Sequence, residues 1–129
     1  MILGLRTDKP EAELYLFNNA QQVDHLAWHA HRELSDTLLI KIDELLNTNT
    51  LDKSDLTGII IYQGPGSFTG LRIGISVANA LAYSLNIPIA AAAGETWIQK
   101  CLEDITHNNQ PEVVIPEYGS EAHITQPRK

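Results

Sequence analysis

The segment of this chain whose composition could support chemistry is a glycine-rich loop at residues 64–70. It follows a β-branched run at residues 58–62 and precedes a stretch with helical periodicity. A strand that enters such a turn and then a helix is a common setting for phosphate binding, because backbone N–H groups and the helix dipole attract anions. The loop consists of Gly64, Pro65, Gly66, Ser67, Phe68, Thr69 and Gly70.

Two comparisons weaken the phosphate interpretation of this loop. It lacks the Lys-Ser/Thr ending of a P-loop, and it does not continue as the dinucleotide fingerprint. The pattern therefore favours a tight strand-to-helix connection, with phosphate binding as the alternative. Ser67 does not lie in a nucleophile elbow, Gly-x-Ser-x-Gly, so we expect Ser67 or Thr69 to cap the following helix.

The other residue types with catalytic potential lie in patterns that favour structural roles. Cys101, the single cysteine, falls on a predicted helix with Lys100 as its only basic neighbour, and we expect it to be packed. His25 and His29 have a spacing that could bind a metal ion on a helix, but their stretch resembles a strand, where the two rings do not converge. We predict no catalytic residue, no metal site and no cofactor.

Composition restricts the class of protein. The chain has 129 residues, enough for one domain with one core. Its formal net charge is −7 and its nine basic residues are scattered, which argues against direct, tight binding of nucleic acid by this chain. The apolar runs are too short for a membrane span, and the N-terminus lacks signal-peptide features. We therefore expect a cytoplasmic protein.

Hydrophobic periodicity predicts the order β-β-β-α-β-α-β-α. Polar turns separate the first three strands closely enough for an antiparallel meander, and Asn86 with Pro88 ends the second helix. The predicted strands are residues 2–5, 12–17, 22–28, 58–62 and 88–92, and the predicted helices are 34–46, 69–85 and 95–105. We assign residues 1–108 to one lobe and residues 109–129 to a polar tail.

The handedness of the connections predicts how these elements pack. If the meander forms one side of the sheet and the last two strands extend the other, both crossovers run in the same direction. Because crossovers are right-handed, the first two helices then share one face of the sheet and the third covers the opposite face. The expected fold is α/β, a five-stranded mixed sheet forming a single ribonuclease-H-like lobe of the kind used by actin-like ATPases.

The two helices that share a face have unusual surfaces. In the first, Leu34, Leu38, Leu39, Ile42, Leu45 and Leu46 form one apolar stripe, with Ile40 outside it. In the second, small residues recur every fourth position from Gly66 to Ala82, a spacing that lets another helix approach closely. Its polar arc holds only Arg72, Ser76, Asn79 and Tyr83. We expect this helix to bury two faces, one against the sheet and the other against the first helix, with a partner protein as the further candidate for the second face.

The eleven residues from Gly64 to Gly74 closely resemble the hallmark of the TsaB (YeaZ) family. Residues 38–46 and 86–89 are similar to the first helix and fifth strand of that family. The resemblance covers about residues 1–105, all in the first of the two lobes of the family. It implies a non-catalytic subunit that pairs with TsaD, the subunit that transfers a threonylcarbamoyl group to adenosine in tRNA, and that meets TsaE through the complex.

The resemblance also implies an interface, because TsaB pairs with TsaD, or with itself, through its first two helices. Carried over to this chain, the partner-binding residues are Leu38, Ile42, Leu45, Gly70, Ile73, Gly74, Val77, Ala78, Leu81 and Ala82. Two alternatives remain: a residual nucleotide-binding or phosphohydrolase protein that uses the loop at residues 64–70, and an orphan homodimer.

This sequence departs from the family pattern in three places, one of which is the His-Ser pair before the first helix, here Leu34-Ser35. Family members open with an Asp-Thr pair after the first strand, whereas this chain has Arg6-Thr7, with Asp8 displaced by one position. The second lobe of the family also has no counterpart in these 129 residues. Since nucleotides bind between two lobes in this fold class, we expect neither ATP binding nor catalysis by this chain alone.

Overall fold

The computed structural model describes residues 1–107 and Val114, and the predicted order of elements is confirmed. The strands are β1 (Ile2–Arg6), β2 (Glu11–Asn18), β3 (Gln21–His29), β4 (Gly58–Gly64) and β5 (Ile89–Ala93). The helices are α1 (Leu34–Thr48), α2 (Phe68–Leu85) and α3 (Trp97–Thr106). None of the helices in these described residues is long and apolar enough to cross a membrane.

The five strands form one mixed sheet in the order β3-β2-β1-β4-β5. The β1–β2 and β2–β3 pairs are antiparallel, as predicted for the meander, and the β1–β4 and β4–β5 pairs are parallel. The β-branched run of β4 is buried on both faces, which explains why it lacks polar alternation. Ile59 and Ile61 point to one face, and Ile60 and Tyr62 point to the other.

The helices cover the two faces as the handedness argument predicted. Buried residues of α1 and α2 pack with Ile59 and Ile61 in one apolar cluster. On the opposite face, Trp97 and Cys101 of α3 pack with Ile60 and Tyr62. The fold is therefore the ribonuclease-H-like α/β lobe.

The polar residues 47–56, which lie between the predicted helix 34–46 and the predicted strand 58–62, contain regular structure. Helix α1 continues to Thr48, and a 3₁₀ turn follows at Lys53–Asp55. A capping box stabilises this turn. The Asp52 side chain accepts from the backbone N–H of Asp55, and the Asp55 side chain accepts from the backbone N–H of Asp52. Local capping therefore outweighed composition here.

One described residue of the predicted tail belongs to the core. Val114 is 4% exposed and packs in the cluster beneath α1 and α2. The side-chain amide of Asn79 on α2 fixes its backbone twice: Nδ2 donates to the Val114 carbonyl and Oδ1 accepts from the Val114 N–H, each at 3.0 Å. The rest of the predicted tail lies outside the described residues.

We expect Asn79→Ala to release this anchor. Loss of two partly buried hydrogen bonds should lower the free energy of unfolding by about 1–2 kcal/mol. It should also accelerate hydrogen exchange at the Val114 amide, since that N–H loses its acceptor. Ser76→Ala, an exposed change one turn earlier on α2, is the control. Unchanged exchange at Val114 in Asn79→Ala would contradict the prediction.

Candidate functional site: the glycine loop and the helix pair

The glycine loop is closed by contacts at both of its ends. The Tyr62 hydroxyl at the end of β4 donates to the Pro65 carbonyl at 2.8 Å. Ser67 is the N-cap of α2, and its hydroxyl accepts from the Gly70 N–H at 3.4 Å. The predicted capping role is therefore confirmed for Ser67.

The turn that follows β1 packs directly against this loop. The Ser67 N–H donates to the Asp8 carbonyl at 3.1 Å, and the Thr7 hydroxyl donates to the Gly70 carbonyl at 2.8 Å. Thr7 is only 1% exposed, so its hydroxyl is satisfied inside the protein. These contacts join the first strand to the beginning of α2.

The small residues at the start of α2 make room for that turn. A Cβ atom at Gly66 would collide with the Asp8 side chain, one at Gly70 with the Thr7 carbonyl oxygen, and one at Gly74 with the Thr7 hydroxyl. The sequence predicted that this ridge would admit another helix. The glycine half of the ridge instead faces the chain's own β1–β2 turn, which local periodicity could not reveal because the turn is some 60 residues away in sequence.

A charged pair lies beside the loop. Arg6 Nε and Nη2 donate to the two oxygens of Asp8 at 2.8 and 3.2 Å, and the Arg6 guanidinium lies 4.1 Å from the centroid of the Tyr62 ring. The hydrogen bond from Arg6 to Asp8 raises the pKa of Arg6, and burial raises the pKa of Tyr62. Because Arg6 and Asp8 neutralise each other, the pair supplies no net positive charge that would attract an anion to this loop.

The predicted partner-binding residues divide into two groups by depth. Seven of them are buried on the inner faces of α1 and α2, where they pack the helix pair onto the rest of the domain: Leu38, Ile42, Leu45, Gly74, Ala78, Leu81 and Ala82. Gly70, Ile73 and Val77 are half-buried. Ile73 and Val77 line a groove of about 400 Å³ between α1 and α2.

Several apolar side chains of the two helices remain in solvent. Leu39 is 48% exposed, Ile40 63% and Tyr83 89%. We call these three residues, together with Ile73 and Val77, the outer surface of the helix pair. Leu39 belongs to the apolar stripe predicted for α1 but is half exposed, because a helical wheel shows direction but not how far the sheet reaches around the helix. Ile40 was the usable signal, since it lay outside the stripe.

The remaining candidates have structural surroundings. Cys101 is buried, and burial raises its pKa to about 12, so the thiolate is disfavoured. His25 lies on β3 with Nε2 3.0 Å from Glu13 Oε1, and the Tyr15 hydroxyl donates to the same oxygen. Although burial acts in the opposite direction, the hydrogen bonds from Tyr15 and His25 lower the pKa of Glu13. Within the described residues, no group of three or more potential ligands is placed to hold a metal ion.

Comparison with known proteins identifies the family to which the chain belongs. The chain is 46% identical over 52 residues to the tRNA threonylcarbamoyladenosine biosynthesis protein TsaB of Bacillus subtilis, covering 40% of this chain and 23% of that protein. It superposes on YeaZ from Pseudomonas aeruginosa with a TM-score of 0.66 and 28% identity, covering 71% of this chain and 43% of the other. A family model described as "TsaD: tRNA N6-adenosine threonylcarbamoyltransferase" matches residues 26–115. The chain belongs to the TsaD family and is of the TsaB (YeaZ) type.

The fold also occurs outside this family, and the chain matches only part of the length of its relatives. Thermus thermophilus RuvC, solved with a Holliday junction substrate, shares the fold with a TM-score of 0.52 at 8% identity, over 71% of this chain and 63% of RuvC. The chain spans about half or less of the curated TsaB relatives that it matches. The family resemblance stated from residues 64–74 is thus confirmed.

Proposed function

We propose that this chain is a non-catalytic partner subunit that binds TsaD in the formation of threonylcarbamoyladenosine on tRNA. The observation that carries the proposal is the outer surface of the helix pair, in a chain of the TsaB type. The binding site for TsaD is the pair of helices α1 and α2. TsaE contacts this chain only through the complex, and tRNA is contacted indirectly. The complex acts in the cytosol.

The buried and the exposed side chains of the helix pair have different roles in this proposal. Leu38, Ile42 and Leu45 fix α1 to the sheet, and the small residues at the start of α2 fix it to the β1–β2 turn. The side chains of the outer surface are then free to contact a partner. Large apolar and aromatic residues exposed on a small domain are typical of interfaces.

The glycine loop supports a structural role over a catalytic one. Its backbone and its glycine positions accommodate Thr7 and Asp8, which pack directly against it. Arg6 is committed to Asp8 and to the Tyr62 ring, so it offers little charge to a phosphate. We therefore favour the partner subunit over the nucleotide-binding alternative.

The test of this function is complex formation. Purified chain and TsaD from the same organism should co-elute at micromolar concentration, and Tyr83→Asp should weaken the complex at least about 10-fold, because a carboxylate would be desolvated in the interface. Calorimetry or surface plasmon resonance would give the dissociation constants, with circular dichroism to verify folding.

Val23→Asp is the matched control for Tyr83→Asp. Val23 is 45% exposed, but it lies on β3 and not on the helix pair, so this change should leave the affinity for TsaD unaltered. Equal losses in both variants would contradict the assignment of the site. A chain that forms only homodimers and never binds TsaD would overturn the proposed function.

A further inference from the structure

Arg72 is an anomaly on the helix pair. It is the only charged residue between Phe68 and Leu85, in a helix otherwise made of apolar, small and neutral polar side chains. It is exposed, and its guanidinium lies 5.2 Å from the centroid of the Phe68 ring. Among residues 1–107 and Val114, no carboxylate lies within ion-pair distance of Arg72.

The position of Arg72 places its charge where the proposed partner would sit. It lines the groove between α1 and α2 together with Ser35, Thr69, Ser76 and the two apolar residues Ile73 and Val77. The groove therefore has an apolar part and a rim of hydroxyl groups with a single cation. Stacking on Phe68 holds the guanidinium near this groove and reduces the entropy lost when it binds.

Covering this groove would take Arg72 out of water. Burying a cation without a partner is strongly unfavourable, and the described carboxylates of this chain, which carries a net charge of −7, do not neutralise it. The ligand that matches a planar guanidinium is a carboxylate, which can accept two parallel hydrogen bonds.

We propose that the partner protein brings an Asp or Glu side chain to Arg72, flanked by apolar residues that fill the groove at Ile73 and Val77. The inference rests on the proposed function and specifies the chemistry of its interface. Arg72 is then the residue that fixes the register of the partner on the helix pair, because it is the one charge on α2 to be matched.

The experiment compares three variants of the full chain for binding to TsaD. Arg72→Glu should weaken binding at least about 30-fold and Arg72→Ala about 10-fold. Arg72→Lys should recover only part of the affinity, since an ammonium group lacks the planar fork. Lys100→Ala, which removes one positive charge from α3 on the opposite face of the sheet, should bind as the unaltered chain does.

Charge reversal on the partner identifies the carboxylate. Each exposed Asp or Glu on the helices of TsaD is changed to Arg in turn, and one such change should restore binding to Arg72→Glu by about 10-fold or more. If Arg72→Ala and Arg72→Glu bind as tightly as Lys100→Ala, or if no reversal restores binding, the inference is wrong while the partner function stands. If the unaltered chain does not bind TsaD, both are wrong.

Discussion

Gly70→Ala is expected to lower the free energy of unfolding by about 1–3 kcal/mol, although alanine is the better helix former. At an ordinary helical position this change would add about 0.5–1 kcal/mol of stability. Here the new Cβ would meet the carbonyl oxygen of Thr7, which is main chain and cannot rotate away. The sign of the effect is therefore reversed, and urea denaturation followed by circular dichroism measures it.

Gly74→Ala provides an internal comparison for this prediction. Its Cβ would meet mainly the hydroxyl and methyl groups of the Thr7 side chain, so Thr7→Ala should relieve most of that clash. The double variant Thr7→Ala/Gly74→Ala should be more stable than the sum of the two single changes predicts. No such rescue is available to Gly70→Ala, because every residue has a backbone carbonyl.

Two outcomes would contradict the role assigned to these glycines. Gly70→Ala could match the stability of Ser76→Ala, an exposed substitution on the same helix. Alternatively, Thr7→Ala could rescue both glycine variants equally. Either result would mean that the β1–β2 turn does not pack against α2 as closely as the structure describes.

The sequence predicted the fold well because its signals are local and strong. The β-branched run of β4 and the apolar periodicity of α1 and α2 set the element types, and the handedness rule placed both helices on one face. Loop residues 47–56 were the exception, since a short polar segment can be capped as readily as it can be extended. Helix ends differed by up to two residues for the same reason.

The details of the site depended on contacts between distant segments. Glycines at every fourth position are the pattern expected where another helix packs closely. Only the positions of Thr7 and Asp8 in the structure show that these glycines accommodate the β1–β2 turn. The sequence shows that the acidic residue is displaced to Asp8, but the bidentate pairing of Asp8 with Arg6 could be seen only in the three-dimensional structure. The depth of side chains on α1 was equally hidden, since Leu38 and Leu39 are adjacent and equally apolar, yet Leu38 is buried and Leu39 is half exposed.

Leu38 and Leu39 therefore provide the sharpest test of which residues of α1 act directly. Leu38 is fully buried, and Leu38→Ala should cost about 2–5 kcal/mol of a total stability of about 5–15 kcal/mol. Leu39 is 48% exposed, and Leu39→Ala should cost less than about 1 kcal/mol. Thermal or urea unfolding of the two variants, made side by side, gives both values.

Binding to TsaD should show the opposite order once folding is taken into account. Measured at a temperature where both variants remain folded, Leu39→Ala should weaken the complex about 5- to 10-fold because it removes apolar surface from the interface. Leu38→Ala should retain most of the affinity, since its side chain supports α1 from below. If Leu38→Ala loses more affinity than Leu39→Ala while remaining folded, α1 must rearrange on binding. TsaD would then not bind through the outer surface of the helix pair.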